Sequence, residues 1–431
     1  MTCASLVPGA DMRALASILF SLVFSLAFSL PATAAPLAAW VEVTGRGAEV
    51  RAVTEADTCP MLTVDGRRVR MRERAAPNET FANRMCDAPL PKTARRISVE
   101  GQRLPVPKAR PNRLVILGDS GCRIGAGVTQ NCNDPVAGWP FAKVAALAAA
   151  QKPDLVIHVG DYYYREKPCP DGAAACQGSP FGDRWPTWKA ELFAPGAPLL
   201  KAAPWIFARG NHEDCKRGGR GWFRLLDADR EAQACPTGYS TPFMVDLGGV
   251  RLAILDSAMP DDAKPQPDEV ALFAKALAAI PPGPTPVWMV THRPLWALSH
   301  NGATLGGDWG NVNERAAAQA SGLKGVQLLI AGHVHNFTSF DFAGDRPPEL
   351  IVGTGGDVQD PRDLPPVTTL HLAVDGVQTE AVTLGRFGYF VLDRKGKDWV
   401  GGFHDLSDAL IVACRLHAGR LSCGAPPPDA L

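Results

Sequence analysis

The sequence predicts an α/β fold, with helices covering buried sheets, preceded by a small β-rich N-terminal region. Three observations lead there. Short uninterrupted apolar runs recur from residue 111 onward, helix-length segments fall between them, and residues 36–110 show no long helical period. A continuous apolar run of a few residues suits a strand buried on both faces. Alternation of such runs with helices suits a layered α/β core. At 431 residues and 46% hydrophobic content, the chain can build one large domain plus a smaller one.

In chain order, residues 1–35 read as an export leader. Arg13 precedes an apolar run from Ala14 to Leu30, and Pro31-Ala32-Thr33-Ala34-Ala35 supplies the small residues a signal peptidase prefers, with cleavage after Ala34 or Ala35. Met12 is an alternative start that makes a cleaner leader. Retention of the 17-residue run as a membrane anchor is the competing reading. No later segment is apolar for long enough to span a bilayer, so a periplasmic or secreted protein is expected, without a stable span after cleavage.

Residues 36–110 hold strand-like pieces, Trp40-Val-Glu-Val and Met61-Leu-Thr-Val, with Asp65-Gly66 as a turn signal and Pro105 to Pro111 as a linker. Asn78-Glu-Thr matters only in a host that glycosylates. The main domain, 111–431, opens with Leu114-Val-Ile-Leu, followed by Leu155-Val-Ile-His-Val, Trp205-Ile-Phe-Ala, Leu252-Ala-Ile-Leu, Val287-Trp-Met-Val and Val326-Gln-Leu-Leu-Ile. Helices are expected over Val136 to Gln151, Asp268 to Ile280 and Asn313 to Gly322. Leu350-Ile-Val, Gly388-Tyr-Phe-Val-Leu and Ala409-Leu-Ile-Val-Ala read as strands that complete a second sheet.

Lys+Arg 44 balances Asp+Glu 44, which argues against a dedicated polynucleotide binder while leaving room for a local basic patch. Of eleven cysteines, Cys3 lies in the leader. The other ten fall into neighbours: Cys59 and Cys86, Cys122 and Cys132, Cys169 and Cys176, Cys215 and Cys235, Cys414 and Cys423. An even count in an exported chain suggests five sequential disulfides, against the alternative of free buried thiols in a cytosolic enzyme.

Five apolar runs are followed, within a few residues, by metal-binding residue types. These are Asp119 in Gly118-Asp119-Ser120-Gly121, Asp161 and Tyr164 in Gly160-Asp161-Tyr162-Tyr163-Tyr164, Asn211 in Gly210-Asn211-His212-Glu213, His292 in Thr291-His292, and His333 and His335 in Gly332-His333-Val334-His335. In open α/β sheets, ligands gather beyond the carboxyl ends of strands. Hard oxygen donors with imidazoles suit Fe, Mn or Zn and do not suit a Cys-type structural zinc site.

This ordered set resembles the calcineurin-like metallophosphoesterases, and within them the purple acid phosphatases, over roughly residues 112–356. The broad superfamily has a His two residues after its first Asp, where this chain has Gly121; Tyr164 stands where purple acid phosphatases supply a tyrosinate. The resemblance implies a calcineurin-like β-sandwich flanked by helices, and two adjacent metal ions. Asp119, Asp161, Tyr164 and His335 would hold the first, Fe(III). Asp161 would bridge to a second ion, Fe(II), Zn or Mn, held by Asn211, His292 and His333.

The chemistry fits without the family name. Two metals about 3.5–4 Å apart clamp phosphate oxygens and lower the pKa of a bound water, so a hydroxide can attack phosphorus in line and no protein nucleophile is needed. His212 is placed to contact the phosphate or protonate the leaving group, and His300 is the second acid candidate. Glu213 is expected to orient a histidine. Tyr162 and Tyr163 compete with Tyr164 for the functional ring. His158 reads as a core histidine; His371, His404 and His417 receive no role. Gly353-Thr-Gly-Gly356 lacks a phosphate-loop lysine and reads as a tight turn near the metals.

Lys216, Arg217, Arg220 and Arg224, with Trp222 or Phe223, could line the cleft and choose the substrate, as could Trp296 to Trp309; a solvated, disulfide-tied surface loop is the rival for the first segment. The reading is an exported phosphomonoesterase acting on a small phosphate ester, with no nucleic-acid polymer as partner. A phosphodiesterase on nucleotides or lipid head groups is the nearest rival, and a non-catalytic metal- or phosphate-binding protein the rival of another class.

Overall fold

The computed structural model describes residues 35–229, 235, 239–281, 283–301, 304–359 and 367–426, with the side chains of 299–301, 304, 307 and 308 excepted. The expected leader lies outside the described residues apart from Ala35. Two large sheets dominate. The first has eleven strands in the order Arg420–Gly424, Leu410–His417, Asp398–Asp405, Gly388–Lys395, Arg113–Leu117, Leu155–His158, Trp205–Phe207, Ala38–Thr44, Gly47–Thr54, Arg84–Pro89, Arg72–Ala75. The second has eight: Phe243–Asp246, Arg251–Ile254, Val287–Val290, Val326–Ala331, Glu349–Val352, Phe337–Phe342, Val377–Leu384, Thr368–Val374.

The sheets pack face to face. Leu114, Ile116, Ile157 and Ile206 of the first meet Leu252, Trp288, Val290, Leu328 and Ile330 of the second in one buried cluster. Outside the first sheet, helix Phe141–Ala150 buries Phe141, Val144, Ala145 and Ala148. Outside the second, helices Pro267–Ala278 and Val312–Ser321 cover Ala253, Met289 and Leu329. Strands buried on both faces are predominantly apolar, which explains the apolar runs. The result is the helix-flanked β-sandwich that the resemblance implied.

The centre of each sheet is parallel. Leu155–His158 runs parallel to Arg113–Leu117 and Trp205–Phe207, and Val287–Val290 parallel to Arg251–Ile254 and Val326–Ala331. Carboxyl ends of neighbouring strands therefore point the same way.

The first helix starts at Phe141, five residues later than its composition suggested. The Asp134 carboxylate accepts the Val136 and Ala137 N–H groups at 2.9 and 3.1 Å, which holds a turn there. Pro140 disfavours helical backbone at the residue before it. Another expectation is corrected: Gly388–Lys395 and Leu410–His417 join the first sheet, and the second is completed by Glu349–Val352, Thr368–Val374 and Val377–Leu384. Gly388–Lys395 pairs antiparallel with Arg113–Leu117 and covers an edge that would otherwise expose unpaired backbone.

The strands of residues 36–110 divide between the first sheet and a separate four-stranded sheet, Arg67–Arg70, Met61–Val64, Ile97–Val99, Gln102–Leu104. The five cysteine pairs form as the sequence suggested: Cys59–Cys86, Cys122–Cys132, Cys169–Cys176, Cys215–Cys235 and Cys414–Cys423. Among the described residues, no helix is long and apolar enough to cross a membrane.

Candidate metal centre

The polar residues that follow these strands converge. Asp119 comes after Arg113–Leu117, Asp161 after Leu155–His158, Asn211 after Trp205–Phe207, His292 after Val287–Val290, and His333 and His335 after Val326–Ala331. The loops are locked by backbone bonds, among them Asp119 N–H to Gly160 O, Ser120 N–H to Asp161 O and Gly332 N–H to His292 O, each 2.9 Å. Asp119, Asp161 and His333 hold φ of 55°, 58° and 67°, the left-handed region that side chains avoid. Such strain costs on the order of 1–3 kcal/mol per residue and persists only where the surroundings over-determine it.

The glycines beside the candidate ligands have a steric reason. A Cβ at Gly210 would fall well inside van der Waals contact with Asp161 Oδ1 and N, and one at Gly160, itself at φ 105°, would meet His292 Nδ1 at 2.5 Å. Only glycine lets these loops approach so closely.

Two groups of side chains share Asp161. Asp161, His292 and His333 form one, and Asp119, Asp161 and His335 the other; within each, the potential ligand atoms lie within 4.8 Å of one another. His292 Nε2 is 3.2 Å from Asp161 Oδ2 and 2.9 Å from Asn211 Oδ1. His335 Nε2 is 3.4 Å from Asp119 Oδ1. Tyr164 Oη stands 2.7 Å from Asp161 Oδ2, 3.2 Å from Asp119 Oδ1 and 3.1 Å from His335 Nε2. Its two neighbours point elsewhere: Tyr162 donates to the Ala208 carbonyl at 2.8 Å, and Tyr163 packs on Trp188.

The donor set fits cations on one internal observation. His292 Nδ1 lies 2.8 Å from the Val159 carbonyl, and His335 Nδ1 lies 2.8 Å from the Val358 carbonyl. A ring that donates Nδ1–H to a carbonyl presents a lone pair at Nε2. Each lone pair then faces carboxylate oxygen, an arrangement stable only with positive charge between them. A proton can serve: burial works to lower the His335 pKa, but Asp357 and Asp119 outweigh it and push it up to about 9. Metal ions, displacing such protons, would serve both groups together. Burial raises the Tyr164 phenol well above its usual value, and Asp161 and Asp119 add to the rise, while the Arg123 guanidinium 4.6 Å over the ring opposes it.

His212 sits beside this cluster. Its backbone N–H donates to Asp161 Oδ1 at 2.8 Å, its ring lies 3.9 Å from that of Tyr164, and its Nδ1 is 2.7 Å from Glu166 Oε1. Arg217 reaches the Asn211 carbonyl and Glu166. Glu213 differs from expectation: its carboxylate touches no histidine. It accepts four backbone N–H groups, from Asp161, Tyr162, Tyr163 and Gly210, at 2.8–3.1 Å, and so ties the two ligand loops together.

His333 Nε2 is 2.9 Å from Asp262 Oδ2, with Arg293 bound to the same carboxylate and Trp309 stacked at 9° to the ring. Glu166, Asp262, Arg293, Asp357 and Arg123 were not singled out in the sequence. Glu166 could have been found, two residues beyond Tyr164; Asp262 lies in a loop without any pattern to mark it.

Other candidates fall away from the cluster. Trp222 donates to Asp227 and Ser240, Phe223 is buried, and Arg224 donates to the carbonyls of Ala75, Ala76 and Asn83, so none of the three lines the cleft. Trp296 packs on Phe342. His158 is a core histidine, 2.9 Å from Ser120 Oγ and stacked on Tyr162. The glycine-rich turn at 353–356 docks on the site through Gly355 N–H to Gly118 O at 2.8 Å. His300 lies in strand Ala297–Asn301, its backbone opposite Leu305, and its side chain is outside the described residues.

The calcineurin-like phosphoesterase family model matches residues 113–337, more than half of the chain. Among solved structures, the chain is similar to the purple acid phosphatase PPD1 from yellow lupin (Lupinus luteus) seeds, at 16% identity and a TM-score of 0.56, covering 88% of this chain and 73% of that one. It is similar also to PhoD, at 11% identity and a TM-score of 0.56, covering 92% and 93%. At these identities the likeness is one of fold. No curated protein matches the chain in sequence.

Proposed function

The chain belongs to the calcineurin-like phosphoesterase family, and from that premise we propose that it is an exported binuclear-metal phosphomonoesterase of the purple acid phosphatase kind. The observation that carries the reading is the position of Tyr164 Oη, within 3.2 Å of Asp161, Asp119 and His335 at once. In this proposal Asp119, Asp161, Tyr164 and His335 hold Fe(III), and Asp161, Asn211, His292 and His333 hold Fe(II), Zn or Mn. The two ions, when bound, supply Lewis-acid stabilisation of phosphate oxygens and an activated water.

The chain's own residues do the rest. Asp161 offers Oδ2 toward His292 and Tyr164, while its Oδ1 is engaged by the His212 N–H, which fixes the carboxylate plane. Glu166 holds His212 at Nδ1, so Nε2 is the nitrogen left to hold or release a proton at a leaving-group oxygen. Asp262 holds the His333 ring through Nε2, and Val159 and Val358 fix the other two rings. His300 remains the second acid in this proposal.

The proposal takes residues 1–35 as a cleaved leader, 36–110 as an N-terminal β-rich region and 111–431 as the catalytic domain. Five disulfides support passage through an oxidising compartment. The test compares hydrolysis of an aryl phosphate monoester with that of the matching diester, before and after chelation and metal return. Monoester turnover that chelation abolishes and metal restores is expected. Preference for the diester would replace this reading by the phosphodiesterase, and absence of turnover on both with two metals bound would make the chain a binding protein.

A further inference from the structure

The chain is neutral as a whole, yet its charge is segregated. Residues 61–110 carry twelve Lys or Arg against five Asp or Glu, leaving thirty-two against thirty-nine elsewhere. Much of this excess lies on the four-stranded sheet. Register places Arg68, Thr63, Ser98 and Arg103 side by side across its four strands, hence on one face. The opposite face, with Leu62 and Val99, is buried against Val41 and Val50. Arg70 follows Arg68 by one alternation on the same face, and Arg96 lies two residues before Ser98; all four arginines are exposed.

The acidic residues of this sheet do little to neutralise them. The Asp65 carboxylate accepts the backbone N–H groups of Arg95 and Arg96 at the hairpin turn. Glu100 accepts the Met61 N–H at 2.7 Å and reaches Arg68 only at 3.9 Å. Arg96 and Arg103 make no ion pair with the described residues. A row of guanidiniums and hydroxyls on a backbone plane has the chemistry of an anion receptor. Its extent decides what kind: with strands about 4.8 Å apart, Arg68 and Arg103 stand about 14 Å apart, and Arg70 and Arg96 are displaced from that row by about 7 Å along the strands. The charge is spread in two dimensions, as a plane of headgroups requires, and does not follow the single track of a linear polyanion.

We propose that this arginine face docks the protein on an anionic phospholipid surface. Attraction of this kind amounts to about fivefold in partitioning per Arg close to the bilayer and falls off within a Debye length.

The test is sedimentation of the protein with vesicles of phosphatidylcholine alone or mixed with phosphatidylglycerol, at low and at high salt, for wild type and for the triple variant Arg68→Gln, Arg96→Gln, Arg103→Gln. Insertion of an uncleaved leader would be common to both lipids and both proteins. The expected result is binding only to the anionic vesicles at low salt, weakened on the order of a hundredfold in the variant, with soluble-ester hydrolysis and the unfolding midpoint unchanged. Equal sedimentation with both lipids, or a variant that binds like wild type, overturns the proposal. So does retention on heparin without vesicle binding, which would assign the face to a linear polyanion.

Discussion

Tyr164→Phe removes one oxygen and keeps the ring against His212 and under Arg123. The structure separates two consequences. In protein stripped of metal, the phenol proton goes to Asp161 Oδ2, its shortest contact at 2.7 Å, in a fully buried setting. A hydrogen bond to a charged group contributes about 1.5–3 kcal/mol, so denaturant unfolding of the chelated variant should show a loss of that size. In metal-loaded, oxidised protein, the visible charge-transfer band that a phenolate gives on Fe(III) should vanish while iron remains measurable on His335, Asp119 and Asp161. The assay is an absorption spectrum with metal analysis on the same sample, for wild type and variant. A variant that loses stability but keeps the band would return Tyr164 to a packing role; a variant with unchanged metal-free stability would refute the hydrogen-bond argument itself.

Glu166→Gln should leave metal content unchanged and lower kcat about 10–100-fold, because His212 loses the carboxylate that orients it; an unaltered kcat would remove His212 from the chemistry or Glu166 from its support. Gly210→Ala drives a Cβ into Asp161 and should destabilise the fold by about 1–3 kcal/mol and weaken metal retention, both read by calorimetry with and without chelator. Burial raises the Glu349 carboxyl to about 8 against the pull of the Trp296 and Leu295 N–H groups. Its stabilising contribution is therefore complete below the unfolded carboxylate range and lost as pH rises through about 8, an effect on the order of a few kcal/mol. Urea unfolding at pH 5 and pH 9 should show a pH-dependent difference between wild type and Glu349→Gln, and a constant difference would contradict the assignment.

The strands were legible because burial on both faces favours apolar side chains, as in Val287–Val290 and in Leu155–His158, whose one polar residue, His158, is buried with a ring nitrogen 2.9 Å from Ser120 Oγ. The glycines around Asp161 and Asn211 were legible as motif and explicable only in three dimensions, where each proves to be a place at which two loops nearly touch. Sequence could not see where Gly388–Lys395 would go, since its apolar pattern suits either sheet; the open edge of Arg113–Leu117 decides it. Trp222 and Arg224 resembled cleft residues in composition, but their polar atoms are satisfied by Asp227 and by the carbonyls of Ala75, Ala76 and Asn83. Partners such as Asp262 are fixed by loops whose course no local pattern records.

The strand order of the first sheet also bears on how the protein is made. Arg113–Leu117 and Leu155–His158, which lead to Asp119 and Asp161, lie between Gly388–Lys395 on one side and Trp205–Phe207 backed by Ala38–Thr44 on the other. The pairing of Phe390 with Ile116 joins residues far apart in the chain, as does that of Glu42 with Trp205. Contacts of such long sequence separation form slowly and leave strand edges open while they wait. During synthesis the loops of Asp119 and Asp161 therefore emerge long before the strand that closes their sheet, and a chain released before Gly388–Lys395 would present Arg113–Leu117 as an unpaired, apolar edge, prone to pairing with another copy in place of folding.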